Sequence, residues 1–158
     1  VAAGLPIGMP GRRLCVFGAA GDRDRDKRPV MVAISSRAAD VVIFTDDTPH
    51  SEDPAPIRAH ILAGARAEAD RIAREEGRPV VIEEVADRAA AIRRAVELAG
   101  PQDGILLAGR GHETTMDYDG ELVPLDDRVA LREALAAGAA VVSASGSGPA
   151  REGKVIES

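Results

Sequence analysis

The chain has 158 residues, 45% hydrophobic and 29% charged, the size and balance of one globular domain with its own core rather than two. Its 26 acidic residues against 20 basic ones give a formal net charge of −6, which argues against a general nucleic-acid surface, because phosphate backbones demand a basic stripe, and leaves room only for a local basic site. No apolar run reaches the roughly 20 residues that span a bilayer, VAAGLPIGMP lacks the basic start of a secretion signal, and the single Cys15 forbids an internal disulfide; a soluble cytoplasmic protein is expected, with Cys15 as a small core residue.

In chain order, residues 1–12, containing GLPIGMPG, read as a linker from a preceding domain. The domain itself is expected over 13–144. Four short runs, LCVF (14–17), VVIF (41–44), VVIE (80–83) and ILLA (105–108), are apolar or nearly so throughout, as in parallel strands covered on both faces, and each is a candidate central strand. Between them lie helical spacings: Met31, Ile34 and Ala38, with Pro29 in the first turn; Ile57, Ile61, Ala65 and Ile72, with Ser51 or Asp53 as cap and Pro54 or Pro56 in the first turn; and Ala89, Ile92, Val96 and Ala99. TTMDYDGELVPL then places Asp119-Gly120 between two extended pieces, a type I′ hairpin expected to form an antiparallel edge. Asp126 or Asp127 caps a last helix with Ala130, Leu131, Ala134 and Leu135 inward and Gly138 at its end; AVVSA (140–144) adds a final strand. Residues 145–158 lack an apolar period and read as a flexible tail. Alternating strands and helices with right-handed crossovers predict a Rossmann-like, doubly wound α/β fold, its sheet mostly parallel, with an antiparallel hairpin near the C-terminal end.

In such folds ligands bind beyond the carboxyl ends of the strands, so the loops after the apolar runs matter most. The first, GAAGDRDRDKRP (18–29), carries an unbroken charged run from Asp22 to Arg28. Gly18 and Gly21 permit a tight turn, and the helix start beyond offers N–H groups to an anion. It matches neither G-x-x-x-x-G-K-[ST] nor G-x-G-x-x-G, so a primary nucleotide site is weakly supported. The mixed signs suit arginines held by neighbouring carboxylates with donors left for a carboxylate or phosphate; a solvated charge run is the plainer alternative. The second loop is TDDTPHSEDP (45–54), where Asp47, Thr48 and His50 face the crevice, or which does no more than lead into a capped helix. The third is GRGHE (109–113), in which Met116 stands where a zinc helix needs its second His; no metal site is expected from His50, His60 and His112. Glu113 is able to anchor an ammonium group, or to serve as a surface acid.

Taken together, FGAAGDRDRDKRP, DDTPHSEDP, GRGHE and DDR (126–128), in this order, resemble the C-terminal domain of the Mur ligases, the ATP-dependent amide-forming enzymes of peptidoglycan precursor synthesis, from about Arg13 to about Ala137. The members most similar add the third amino acid to UDP-N-acetylmuramoyl-L-alanyl-D-glutamate. The resemblance implies that Arg23 binds the carboxylate of the incoming amino acid, that Asp47, Thr48, Pro49 and His50 shape its side-chain pocket, and that Gly109 and Glu113 contact its far end. It further implies that Asp22, Asp24, Arg25 and Lys27 lie toward the nucleotide phosphates, that ATP and Mg2+ are held mainly by an upstream central domain, and that the UDP-muramoyl dipeptide, amino acid and ATP are the partners of a monomeric enzyme.

The resemblance has departures. Diaminopimelate-adding members usually carry Asp-Asn-Pro-Arg where this chain has Asp47-Thr48-Pro49-His50. A neutral imidazole does not replace the guanidinium fork that grips a second carboxylate, so L-lysine or L-ornithine is expected. Lys often stands at Arg25 and Arg110. The rivals are a folylpolyglutamate-type ligase domain and a non-catalytic anion or amino-acid binding module.

Overall fold

The computed structural model describes residues 10–22 and 27–144. The expected linker therefore enters it only at Pro10, and the expected tail lies outside the described residues. The elements run β1 (Arg13–Ala19), α1 (Lys27–Ala38), β2 (Val41–Asp46), α2 (Pro54–Glu76), β3 (Val81–Glu84), α3 (Arg88–Leu98), β4 (Gly104–Ala108), β5 (Thr115–Tyr118), β6 (Glu121–Pro124) and α4 (Asp127–Ala144). β1 to β4 form a parallel sheet in the order β3-β2-β1-β4.

Alternate residues of each strand feed opposite faces, as a strand period of two requires. Cys15 and Phe17 of β1, Val42 and Phe44 of β2 and Leu106 of β4 meet Val32 of α1 and Ile57, Ile61 and Ala65 of α2. Leu14, Val16, Val41 and Ile43 meet Ala91, Ile92 and Ala95 of α3 and Leu131 and Ala134 of α4. Both faces are thus covered, which is why these runs are apolar without alternation. Phe17 and Phe44 lock the first core edge to face, their centroids 5.9 Å apart. The expected doubly wound fold is what forms.

Caps fix where the helices start. Asp53 accepts the Ala55 N–H ahead of Pro54 in α2, and Asp87 accepts the Ala90 N–H in α3. At α4 it is Asp126 that accepts the Arg128 N–H, at 2.9 Å.

Four expectations need correction. VVIE is not central: β3 is an edge strand, and Val81 is 49% exposed there. In α1 the buried residues are Arg28, Val32, Ser35 and Ser36, while Val30 and Ile34 face outward and Met31 is half-buried. Arg28 ties this face to the Ala20 carbonyl and Glu52, and Ser35 satisfies its buried hydroxyl by back-bonding to Val32 O at 2.9 Å. The hairpin does not extend the main sheet; β5 and β6 pair only with each other, joined to the β2–α2 loop by a bridge between His50 and Tyr118. Its turn is nonetheless of the expected kind, with φ of +53° at Asp119 and +86° at Gly120. Finally, α4 does not stop at Gly138; the alanine-rich stretch carries it through the AVVSA segment to Ala144.

Candidate functional site

The chain leaves β1 toward β2 and β3, then returns to place β4 on the other side of β1. Carboxyl ends of strands at such a reversal open a crevice. A cleft of about 690 Å³ lies there, lined by Gly18, Ala19 and Ala20 after β1, by Asp47, Thr48 and His50 after β2, and by Gly109 and Glu113 after β4, with Arg28 and Met31 of α1 and Thr114, Thr115 and Asp117 closing it.

Asp47 organises this rim. Its side chain reaches across the end of β1 to the end of β4, through room left by two glycines. A Cβ on Gly18 would stand 2.8 Å from Asp47 Cβ, and one on Gly109, whose φ is +112°, would stand 2.7 Å from Asp47 Oδ2. At Gly18 the backbone of Asp47 and Thr45 also lies within 3 Å, and at Gly109 the positive φ is one that side-chain-bearing residues rarely adopt, so glycine suits both strand ends. Asp47 Oδ1 accepts the Thr48 N–H at 2.8 Å, and Arg110 Nη1 lies 4.0 Å away. Asp46 beside it is turned away and pairs with Arg58.

Gly21 serves packing rather than anion binding. Its N–H donates to Thr48 O at 3.0 Å, and a Cβ there would fall 1.7 Å from Pro49 O. Pro49 accordingly is buried behind the cleft wall, shaping the loop instead of lining the cleft. Asp22 is likewise absent from the lining: its carboxylate accepts the Ser51 hydroxyl at 2.9 Å, and its N–H donates to Glu52 at 2.8 Å. Arg23, Asp24 and Arg25 lie outside the described residues, as does the side chain of Lys27.

His50 adopts φ of +52°, an uncommon conformation that histidine tolerates better than most side chains. Three bonds to the hairpin hold it there. Its N–H donates to Asp117 O at 3.0 Å, its carbonyl accepts the Asp119 N–H at 2.7 Å, and Nδ1 lies 3.1 Å from Asp117 Oδ2. The loop that carries His50 and the hairpin that follows Glu113 are therefore one wall.

Beneath that wall lies a buried ionic group. Arg88 and Arg110 have fully buried side chains, and Asp47 and Asp127 nearly so. Arg88 grips Asp127 through Nε at 2.8 Å and Nη2 at 2.6 Å and also donates to Ala108 O. Arg110 lies 3.7 Å from Asp127 and donates from Nη2 to Leu125 O at 2.8 Å, Thr115 O at 3.0 Å and Glu113 O at 3.4 Å. Two guanidinium groups thus face two carboxylates in one buried cluster, each offsetting part of the other's desolvation. The arrangement ties α3, α4 and both ends of the hairpin to the floor of the cleft. Arg28, also buried, donates to Glu52 at 2.9 Å, bracing the start of the charged loop.

The structure thus brings Asp47, Thr48, His50, Gly109 and Glu113 together. Sequence reasoning missed Asp117, Arg28, Arg88 and the structural role of Arg110. Asp117 was legible only as hairpin, and its pairing with His50 spans a sequence gap that no local pattern reports. Arg88 sits at an ordinary first-turn position, so nothing marked it as buried.

The chain is similar to proteins of known kind. Residues 2–111 match the family model for the Mur ligase, glutamate ligase domain. A UDP-N-acetylmuramoyl-L-alanyl-D-glutamate–2,6-diaminopimelate ligase of Corynebacterium efficiens is 50% identical over 127 residues, 80% of this chain and 23% of the relative. The ligase of the same name from Synechococcus elongatus is 50% identical over 128 residues, 81% of this chain and 24% of the relative. A solved structure of a ligase of that name superposes with a TM-score of 0.69 at 34% identity, covering 82% of this chain and 25% of its own. This chain spans about a quarter of the length of these relatives. The family model covers more than half of it, and the chain belongs to the Mur ligase family, through its glutamate ligase domain.

Proposed function

We propose that residues 13–144 are the amino-acid-binding C-terminal domain of a cytoplasmic, monomeric, ATP-dependent ligase that joins the third amino acid to UDP-N-acetylmuramoyl-L-alanyl-D-glutamate in peptidoglycan precursor synthesis. The observation that carries this reading is the convergence of Asp47, His50 and Glu113 on one cleft, in a chain half-identical to ligases so named.

ATP with Mg2+ supplies the phosphoryl group that activates the D-glutamyl carboxyl. The described residues do not fit a primary nucleotide site, because Gly18 and Gly21 are taken up by Asp47 and Pro49, and among them no group of three or more His, Cys, Asp or Glu side chains suits a metal. The upstream domains are therefore assigned the nucleotide. Asp24, Arg25 and Lys27 are assigned its phosphate side on resemblance, with Asp22 contributing by tying their loop to Ser51. In the amide-forming step the neutral amine nitrogen attacks the activated carbonyl carbon, the C–N bond forms, the C–O bond to phosphate breaks, and the nitrogen gives up one proton to solvent. This domain contributes orientation, which supplies up to roughly 7–11 kcal/mol of barrier reduction in favourable cases. Arg23 is assigned the amino acid's carboxylate, Glu113 an ammonium, and the Asp47–His50 loop the side chain.

The pocket chemistry favours L-lysine or L-ornithine, because His50 stands where a guanidinium would hold a second carboxylate and because Glu113 and Asp117 make its walls acidic. The second reading, diaminopimelate, is favoured by the names of the relatives. Amino-acid-dependent phosphate release by the full-length protein, with UDP-N-acetylmuramoyl-L-alanyl-D-glutamate and ATP, tests both. Stimulation by L-lysine or L-ornithine above meso-diaminopimelate is expected; the reverse order selects the second reading. No stimulation by any amino acid, together with tight binding of one to this chain by calorimetry, would replace the ligase by a binding module.

A further inference from the structure

Asp117 belongs to none of the motifs that mark the family, yet it lines the same cleft as His50 and Glu113. It stands on β5 just before the hairpin turn, and the turn fixes it: Oδ1 accepts the Gly120 N–H at 2.7 Å, while Oδ2 meets His50 Nδ1 at 3.1 Å. The Gly120 N–H, and after it the His50 ring, hold the Asp117 carboxyl below the usual carboxylate range. An ionised carboxylate is only an acceptor, so Nδ1 carries the proton of this hydrogen bond.

This wall consequently presents a carboxylate, fixed in place by the turn, to whatever enters. Glu113 adds a second carboxylate. Among the described residues, Arg28 is the guanidinium that lines the cleft, and it is engaged by Glu52 and the Ala20 carbonyl. Such a surface attracts an ammonium group and repels a carboxylate that accompanies it.

We propose that Asp117, acting with His50, is a specificity-determining residue, selecting a side chain that ends in a lone ammonium over one whose ammonium is joined by a carboxylate. The inference rests on the ligase reading but not on which amino acid the wild type prefers, since it concerns a ratio. The quantity to measure is kcat/KM for L-lysine or L-ornithine divided by kcat/KM for meso-diaminopimelate in the full-length enzyme. Asp117→Asn keeps the shape and the turn acceptor while removing the charge, and is expected to lower the ratio about tenfold, as one half-exposed charge-assisted contact is worth. Asp117→Glu keeps the charge and is expected to hold the ratio near wild type even where every KM rises. If Asp117→Asn does not fold, His50→Arg supplies a cation to offset Asp117 and should lower the same ratio.

A ratio unchanged within twofold, or equal losses with both kinds of amino acid, would overturn this inference and leave the ligase reading standing. A wild-type enzyme that turns over no amino acid would overturn both.

Discussion

Replacing Arg110 with methionine separates a buried strut from a decorative charge. The side chain is fully buried, and methionine, unbranched and of similar length, fills the space, so cavity formation adds little. What is lost is the Nη2 contact with Leu125 O, Thr115 O and Glu113 O, at 2.8, 3.0 and 3.4 Å, and the cation facing Asp47 at 4.0 Å and Asp127 at 3.7 Å. A hydrogen bond to a charged group contributes roughly 1.5–3 kcal/mol, and three acceptors sharing one nitrogen do not add fully. Against this, Nε and Nη1 of Arg110 have no hydrogen-bond partner, and their desolvation, about 1–3 kcal/mol, is relieved in the variant. Asp127 keeps Arg88, but Asp47 is left buried without its cation, a situation that costs about 3–5 kcal/mol when a pair is broken cleanly. The net expectation is a loss of about 3 kcal/mol, or roughly 10 °C in Tm for a domain of this size. Urea and thermal unfolding of the 158-residue chain, followed by circular dichroism, measure it. Arg110→Lys, which keeps the charge but not the fork, should lose less. An Arg110→Met variant within about 1 kcal/mol of wild type would refute the claim that this ion group holds the hairpin to the cleft.

Two further expectations concern titration. Burial pushes the Cys15 thiol up to about 12, so it should resist Ellman's reagent near neutral pH until the protein unfolds; rapid labelling of native protein would place Cys15 outside the core. Several surface carboxylates are depressed in the folded state, Glu68 to about 2 through hydrogen bonds from Arg71 and Arg37, and Glu83 through Arg94. A depressed folded pKa gives stability that is present above the ordinary value near 4.5 and lost as pH falls toward 2. Asp46, raised by burial, works in the opposite sense and offsets part of this loss. The urea midpoint should therefore decline between pH 4.5 and 2, and a midpoint that holds steady to pH 3 would count against these pairings.

The sheet was legible because Leu14–Phe17 and Val41–Phe44 are buried on both faces, which strips them of polar alternation. Short VVIE carries the same pattern at an edge, where Val81 is exposed, so composition alone did not separate edge from centre. The phase of α1 was misread because Ser35 and Ser36 are buried and Val30 and Ile34 are not; Arg28 ties that buried face to Glu52, far along the chain. In the site, Asp47, Thr48, His50, Gly109 and Glu113 follow strand ends, and fold topology alone brings such positions together. Asp117 and Arg88 depend on tertiary pairings with His50 and Asp127, which leave no local trace in the sequence.

The central proposal is that these loops hold the incoming amino acid, and the amino-acid KM of the full-length protein carrying Glu113→Gln tests it most directly. The substitution preserves size and removes one charge from the cleft wall. A rise of about tenfold or more, with the KM values for ATP and the UDP-muramoyl dipeptide unchanged, is the predicted result. An unchanged amino-acid KM, or a rise confined to ATP, would contradict the account.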